Sequence, residues 1–101
     1  NEEIKHTMLD EVKSGTAKLL DVRTLEEWKE GHAEHALHIS VDELLRGEMG
    51  ELVSSKKTYI YCRSGGRAGT AAKYLKGRGF EAENVGGLGD WLRAGGILRN
   101  A

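Results

Sequence analysis

The chain has 101 residues, 15 Lys+Arg against 16 Asp+Glu, one Cys, no Pro and 14 Gly. That length suits one domain, 1–101, with a single core that buries about two-thirds of the unfolded surface. One cysteine forms no internal disulfide, a net charge of -1 offers no field for nucleic acid or anionic lipid, and no apolar run is long enough for a membrane span.

The chain opens Asn1-Glu2-Glu3, with neither Met nor a basic-then-apolar leader. A mature protein after signal removal and a piece of a longer protein both begin this way. The compartment therefore stays open between bacterial periplasm and cytoplasm, and the missing Met leans toward export. Oligomeric state is not legible, although the size suits a monomer.

Lys18-Leu19-Leu20-Asp21-Val22 reads as a short buried strand. Thr24 with Glu27 three residues later is a capping box that opens a helix, and Gly31 closes it. Trp28 on that helix reads as core on its period. Ser40-Val41-Asp42-Glu43 is a second capping box, leading into Leu44-Leu45. Thr58-Tyr59-Ile60-Tyr61, β-branched and aromatic, is the clearest strand. From Arg67 to Gly77 the apolar residues Ala68, Ala71, Ala72 and Leu75 mark one buried helix face. Glu81 to Val85 is a further short strand, and Gly86-Gly87 turns the chain into Asp90-Trp91-Leu92. Alternating strands and helices predict an α/β fold with a mainly parallel sheet. Ligands of such sheets bind beyond the carboxyl ends of the strands, which directs attention to the turn after Tyr61.

That turn is Cys62-Arg63-Ser64-Gly65-Gly66-Arg67-Ala68, placed between a strand and a helix. The helix N-terminus offers unpaired N–H groups and the positive end of its dipole. Gly65 and Gly66 let the loop curl into a nest of N–H groups, and Arg63 and Arg67 add guanidinium forks suited to an oxyanion. Each effect stabilises a thiolate. A lone cysteine is ordinarily a buried small hydrophobe. An inert one has no need of two glycines and two arginines in the next five residues, so the chemical reading is preferred. The Ser64 hydroxyl is equally suited to a persulfide or to the loop backbone.

These residues resemble the single-domain rhodaneses, a sulfurtransferase family, over Leu19 to about Gly96. The resemblance is carried in order by Leu20-Asp21-Val22-Arg23, Glu27-Trp28, Gly31-His32, Ala36-Leu37-His38-Ile39, Tyr59 to Ala68, and Gly86-Gly87 with Trp91. It implies a five-stranded, mainly parallel sheet with helices on both faces. It further implies that the Cys62 thiolate takes the sulfane sulfur of thiosulfate or a related small anionic donor, releases sulfite, and passes the sulfur from a persulfide to cyanide or a thiol. Arg63, Ser64, Gly65, Gly66 and Arg67 would bind the donor, and no metal or organic cofactor is required. Arg63 directly after the cysteine is similar to the thiosulfate-using branch, which differs there from the mercaptopyruvate-using one. A non-catalytic sulfur carrier or partner-binding module is the alternative from a different class. A cysteine-dependent phosphatase is the minor one, because four residues rather than five separate Cys62 from Arg67 and Ala68 stands where such enzymes need arginine.

The remaining polar residues read as structural. Asp21 and Arg23 flank the end of the first strand and suit a paired support for the turn. His32, His35 and His38 recur every third residue, yet no Cys or carboxylate joins them at ligand spacing. Trp91 suits core packing. His35 stands where the family usually has Gly, and Glu34 and Ser40 stand near positions where it often has Pro. Residues 33–36 are therefore where a departure from the family pattern is expected.

Overall fold

Two neighbouring strands run through the buried centre of the molecule, and their sequences explain why. The computed structural model describes residues 7–100. In chain order the elements are α1 (Thr7–Ser14), β1 (Ala17–Asp21), α2 (Leu25–Glu30), β2 (His32–Ala33), β3 (Ala36–His38), α3 (Val41–Leu45), β4 (Lys57–Cys62), α4 (Gly66–Gly77), β5 (Ala82–Gly87), α5 (Leu88–Arg93) and β6 (Leu98–Arg99). The main sheet has the order β3-β1-β4-β5. Every neighbouring pair in it is parallel. Parallel strands are covered on both faces and so read as nearly continuous apolar runs, as β1 and β4 do.

Alternation along these strands divides the interior in two. Leu20, Val22, Ile60 and Cys62 pack with Leu44 of α3 and with Ala68, Ala71, Ala72 and Leu75 of α4. Ala17, Leu19, Tyr59 and Tyr61 point to the other face, against Val12 of α1 and Trp91 of α5. Trp91 is 1% exposed and its indole N–H donates to the Ile97 carbonyl at 3.2 Å, which bears out its core assignment. No helix among the described residues is long and apolar enough to cross a membrane.

Four expectations need correction. The sheet has four strands, not five, among the described residues. The β2 segment instead pairs antiparallel with β6, His32 opposite Arg99 and Ala33 opposite Leu98. Positive φ at Gly31 (152°) and His35 (74°) brackets β2 and confines it to two residues, too short to extend the sheet. Gly86-Gly87 is not a turn: both glycines end β5, paired with Tyr61 and Cys62 after a register slip between Ile60 and Tyr61. Trp28 is not core; it lies half-buried with His32 stacked on it at 3.5 Å between ring centroids. Finally, Gly66 is not needed for the curl of the loop, since a Cβ there would meet nothing within 4 Å. Gly65 alone carries it, at φ 107°.

At residues 33–36 the turn keeps a left-handed residue even though His stands there instead of Gly.

Candidate active site

The chain leaves β1 for β3 on one side and returns to β4 on the other. The carboxyl ends of β1 and β4 therefore flank a topological switch point, the place where open α/β sheets bind ligands. β4 ends at Cys62, and Asp21 at the end of β1 is in register with Tyr61. The next helix after each strand, α2 and α4, starts from the same edge.

Cys62 is buried, and its sulfur lies in a cradle of backbone N–H groups. The N–H of Gly65 donates to Sγ at 2.9 Å and that of Ala68 at 3.4 Å. Burial pushes the thiol up. The N–H groups of Ala68, Gly65, Ser64 and Arg67 outweigh that effect and hold it below its ordinary value. The left-handed Gly65 makes this geometry, aiming successive N–H groups at one point.

The cradle is braced from β5. Asn84 donates from Nδ2 to the Gly65 carbonyl at 3.0 Å and accepts from the Gly86 N–H at 2.8 Å. A Cβ on Gly87 would lie 2.2 Å from the Arg63 carbonyl oxygen, so only glycine lets the loop pass there. The Gly87 N–H donates to Asp90 Oδ2 at 2.7 Å. Sequence reading missed Asn84 and Asp90. The glycine pair signalled close approach, but nothing in its spacing shows which side chains tie the loop down.

The two arginines have different surroundings. Arg63 is exposed and makes no ion pair or hydrogen bond through its guanidinium among the described residues. Arg67 is joined at both nitrogens to Glu27 of α2, Nη1 to Oε1 at 2.8 Å and Nη2 to Oε2 at 3.0 Å. This contact, together with the Thr24 N–H, holds Glu27 down to about 2 against some opposing burial. Glu27 was read only as a capping residue, and its partner lies 40 positions away. The Ser64 hydroxyl makes no hydrogen bond among the described residues, and its backbone N–H joins the cradle.

Behind the site, Asp21 and Arg23 form the paired support expected of them. Arg23 Nη2 donates to Asp21 Oδ2 at 2.7 Å and to the Gly31 carbonyl at 2.7 Å. The Tyr61 hydroxyl donates to Asp21 Oδ2 at 2.7 Å and accepts from the Ala33 N–H at 3.0 Å. Burial, first, and the nearby Asp21 charge push the Tyr61 hydroxyl far up, so it stays protonated. The His32 and His38 rings each bond a backbone carbonyl, of Trp28 and Arg23 respectively. His35 is exposed beside Glu34. Among the described residues no group of His, Cys, Asp or Glu is arranged to hold a metal ion.

A parallel α/β sheet that delivers a cysteine into a ring of N–H groups at a helix start defines a class: proteins that stabilise an anionic sulfur for exchange chemistry. The pattern of the Rhodanese-like domain matches residues 5–94, and the chain belongs to that family. Two Bacillus subtilis relatives are "Putative sulfurtransferase YtwF", 40% identical over 75 residues, and "Putative sulfur carrier protein YrkF", 36% identical over 75 residues. The matches cover 72% of this chain in each case, and 71% of YtwF but only 40% of YrkF. A rhodanese-related protein from Thermoplasma volcanium has the same fold, with a TM-score of 0.79 and 26% identity over 96% of this chain and 95% of that one. The family is one of sulfurtransferases and sulfur carriers, which places a sulfur donor and a sulfur acceptor among its reaction partners in general.

Proposed function

We propose that this chain is a thiosulfate sulfurtransferase, with Cys62 as the nucleophile. The Cys62 thiolate attacks the outer sulfur of thiosulfate. A new S–S bond forms, the bond to the sulfonate sulfur breaks, and its electron pair leaves with sulfite. One negative charge remains on the enzyme as a Cys62 persulfide. Cyanide or a thiolate then attacks the outer persulfide sulfur, takes it as thiocyanate or a new persulfide, and restores the Cys62 thiolate. This is double displacement by covalent catalysis. Donors of the same charge and shape fit the same steps.

One observation carries this reading. Sγ is held at 2.9 Å by the Gly65 N–H, inside a cradle that lowers the thiol's proton affinity, and the next residue, Arg63, is exposed with no ion-pair partner among the described residues. The N–H groups of Ser64, Gly65, Arg67 and Ala68 support negative charge on sulfur before and after transfer. Arg63, without a partner among the described residues, supplies a fork for the donor's sulfonate, and Arg67, paired with Glu27, adds only part of its charge to the same loop. The Ser64 hydroxyl, without a partner among the described residues, is available to the persulfide or the donor.

Intact mass after brief exposure to thiosulfate tests the proposal. A gain of one sulfur atom, removed by cyanide and absent in Cys62→Ser, is the expected result; an unchanged mass would overturn it. The name of YrkF favours a second reading, in which the persulfide serves a carrier without turnover. Thiocyanate formation by the purified protein separates the two. Catalytic production supports the enzyme, and a single stoichiometric release supports the carrier.

A further inference from the structure

The arginine that closes the cysteine loop is not free. Glu27 Oε1 accepts three hydrogen bonds, from the Thr24 N–H at 2.9 Å, the Thr24 hydroxyl at 3.1 Å and Arg67 Nη1 at 2.8 Å, while Oε2 accepts from Arg67 Nη2 at 3.0 Å. The capping box fixes the carboxylate before Arg67 meets it, so the counter-ion is rigid. The Arg67 and Glu27 side chains are 35% and 21% exposed, so water screens the pair only in part. Arg67 in turn feels the Cys62 thiolate.

We propose that Glu27 is a specificity-determining residue, a fixed counter-ion that masks Arg67 and leaves Arg63 as the guanidinium of the loop with no partner among the described residues. It rests on the sulfurtransferase reading above. A loop with two free guanidiniums would favour dianionic sulfonate donors and would hold sulfite, a product with the same charges, equally well. With Arg67 masked, the loop grips dianions less tightly and discriminates less against donors of lower charge, such as persulfides of small thiols. Glu27 thereby trades donor affinity for release of the anionic product. It touches no reacting atom and acts through Arg67, as a positioning residue.

The substitution Glu27→Gln removes the charge and keeps an acceptor, and Gln serves at this position of a capping box, so the helix start survives. Glu43→Gln makes the same change in the second box, where no arginine is held, and is the matched control. For each protein the readouts are the KM for thiosulfate from thiocyanate release, and the pH midpoint of Cys62 alkylation by iodoacetamide. In Glu27→Gln the KM should fall about five- to tenfold, the scale of a partly screened charge-assisted contact, with kcat changing less. The alkylation midpoint should move down, since the Arg67 charge that the thiolate feels is no longer offset by Glu27. Glu43→Gln should match the parent in both. In an Arg67→Met background Glu27→Gln should change nothing further.

A KM that rises or stays put in Glu27→Gln, or an equal gain without Arg67, overturns the proposal. If no protein forms thiocyanate, the sulfurtransferase reading fails by itself. The alkylation midpoint then decides the role of Glu27: a lower midpoint upholds the masking and an unmoved one ends it.

Discussion

Thr24 and Ser40 open two helices with the same four-residue device. In each, the hydroxyl accepts the N–H of the glutamate three residues on, at 3.2 Å for Glu27 and 3.3 Å for Glu43. Each glutamate returns the bond to the cap N–H, at 2.9 Å and 3.0 Å. Both carboxyls lie below their ordinary range, but for different reasons. Arg67 is the main cause for Glu27, whereas the Ser40 N–H is the main cause for Glu43. One box therefore starts a helix, and the other starts a helix and holds an arginine of the cysteine loop. Local geometry is equal in the two; what meets the carboxylate differs. β1 lies beside β4, so the helix after β1 begins near the helix after β4. The helix after β3 also packs on α4, through Leu44, but its Glu43 carboxylate bonds only Ser40 among the described residues.

The largest expected effect tests whether the loop that Glu27 reaches is held as tightly as described. Gly87→Ala sets a Cβ against the Arg63 carbonyl oxygen, 2.2 Å away in the present geometry. Overpacking of this kind costs about 3 kcal/mol. Thiocyanate turnover should drop more than tenfold, with a lower melting temperature. Normal turnover would mean that the loop is loose and that its contact with Glu27 matters little.

Next in size is the difference between the two carboxylates. Glu27→Ala removes the cap partner and the counter-ion of Arg67 together and should cost about 1–2 kcal/mol in denaturant unfolding. Glu43→Ala loses only the cap partner and should cost measurably less. The contribution of Glu27 also has a pH signature. Its carboxyl is lowered from 4.5 to about 2 on folding, so the added stability is complete above 4.5 and is lost as pH falls toward 2. The stability gap between the parent and Glu27→Gln should close over that window, as read by unfolding curves at several pH values.

Thr24→Ala and Ser40→Ala should cost about the same, near 1 kcal/mol, because the hydroxyls do the same work. The comparison predicts that they separate in a different measurement. Thr24→Ala frees Glu27 from one side and should shift the Cys62 alkylation midpoint, while Ser40→Ala should leave it in place. Equal behaviour in both assays would erase the distinction between the boxes.

The smallest effect lies outside both boxes. His35→Gly relieves a left-handed residue at φ 74° but adds freedom to the unfolded chain. The net gain should stay below about 1 kcal/mol, with no change in thiol reactivity. A change in reactivity would show that the 33–36 turn communicates with the cysteine loop.

Much of this molecule could be read from the residue order. The core strands, both capping boxes, the alanine stripe of α4 and the position of Cys62 between strand and helix all appear in the structure within a residue or two of their expected places. Each depends on neighbours only a few positions apart, where spacing and residue type are sufficient. What was misread depends on distant partners. Trp28 has a core residue's period, but its face is taken by the His32 ring. Gly86 and Gly87 look like a turn because a positive φ of 109° at the first, and close packing against Arg63 at the second, select the same residue that turns do.

The sequence by itself determined that one cysteine would stand at the start of a helix, supported by a left-handed glycine and backed by a buried parallel strand. Those are consequences of chain direction and local sterics. Only the tertiary structure decided which charges surround that cysteine. Arg63 and Arg67 are equivalent on paper, and the sheet order brings Glu27 to one of them and leaves the other without a partner among the described residues. Pairing between charges depends on distance in space, and the strand order that sets those distances is a property of the whole chain.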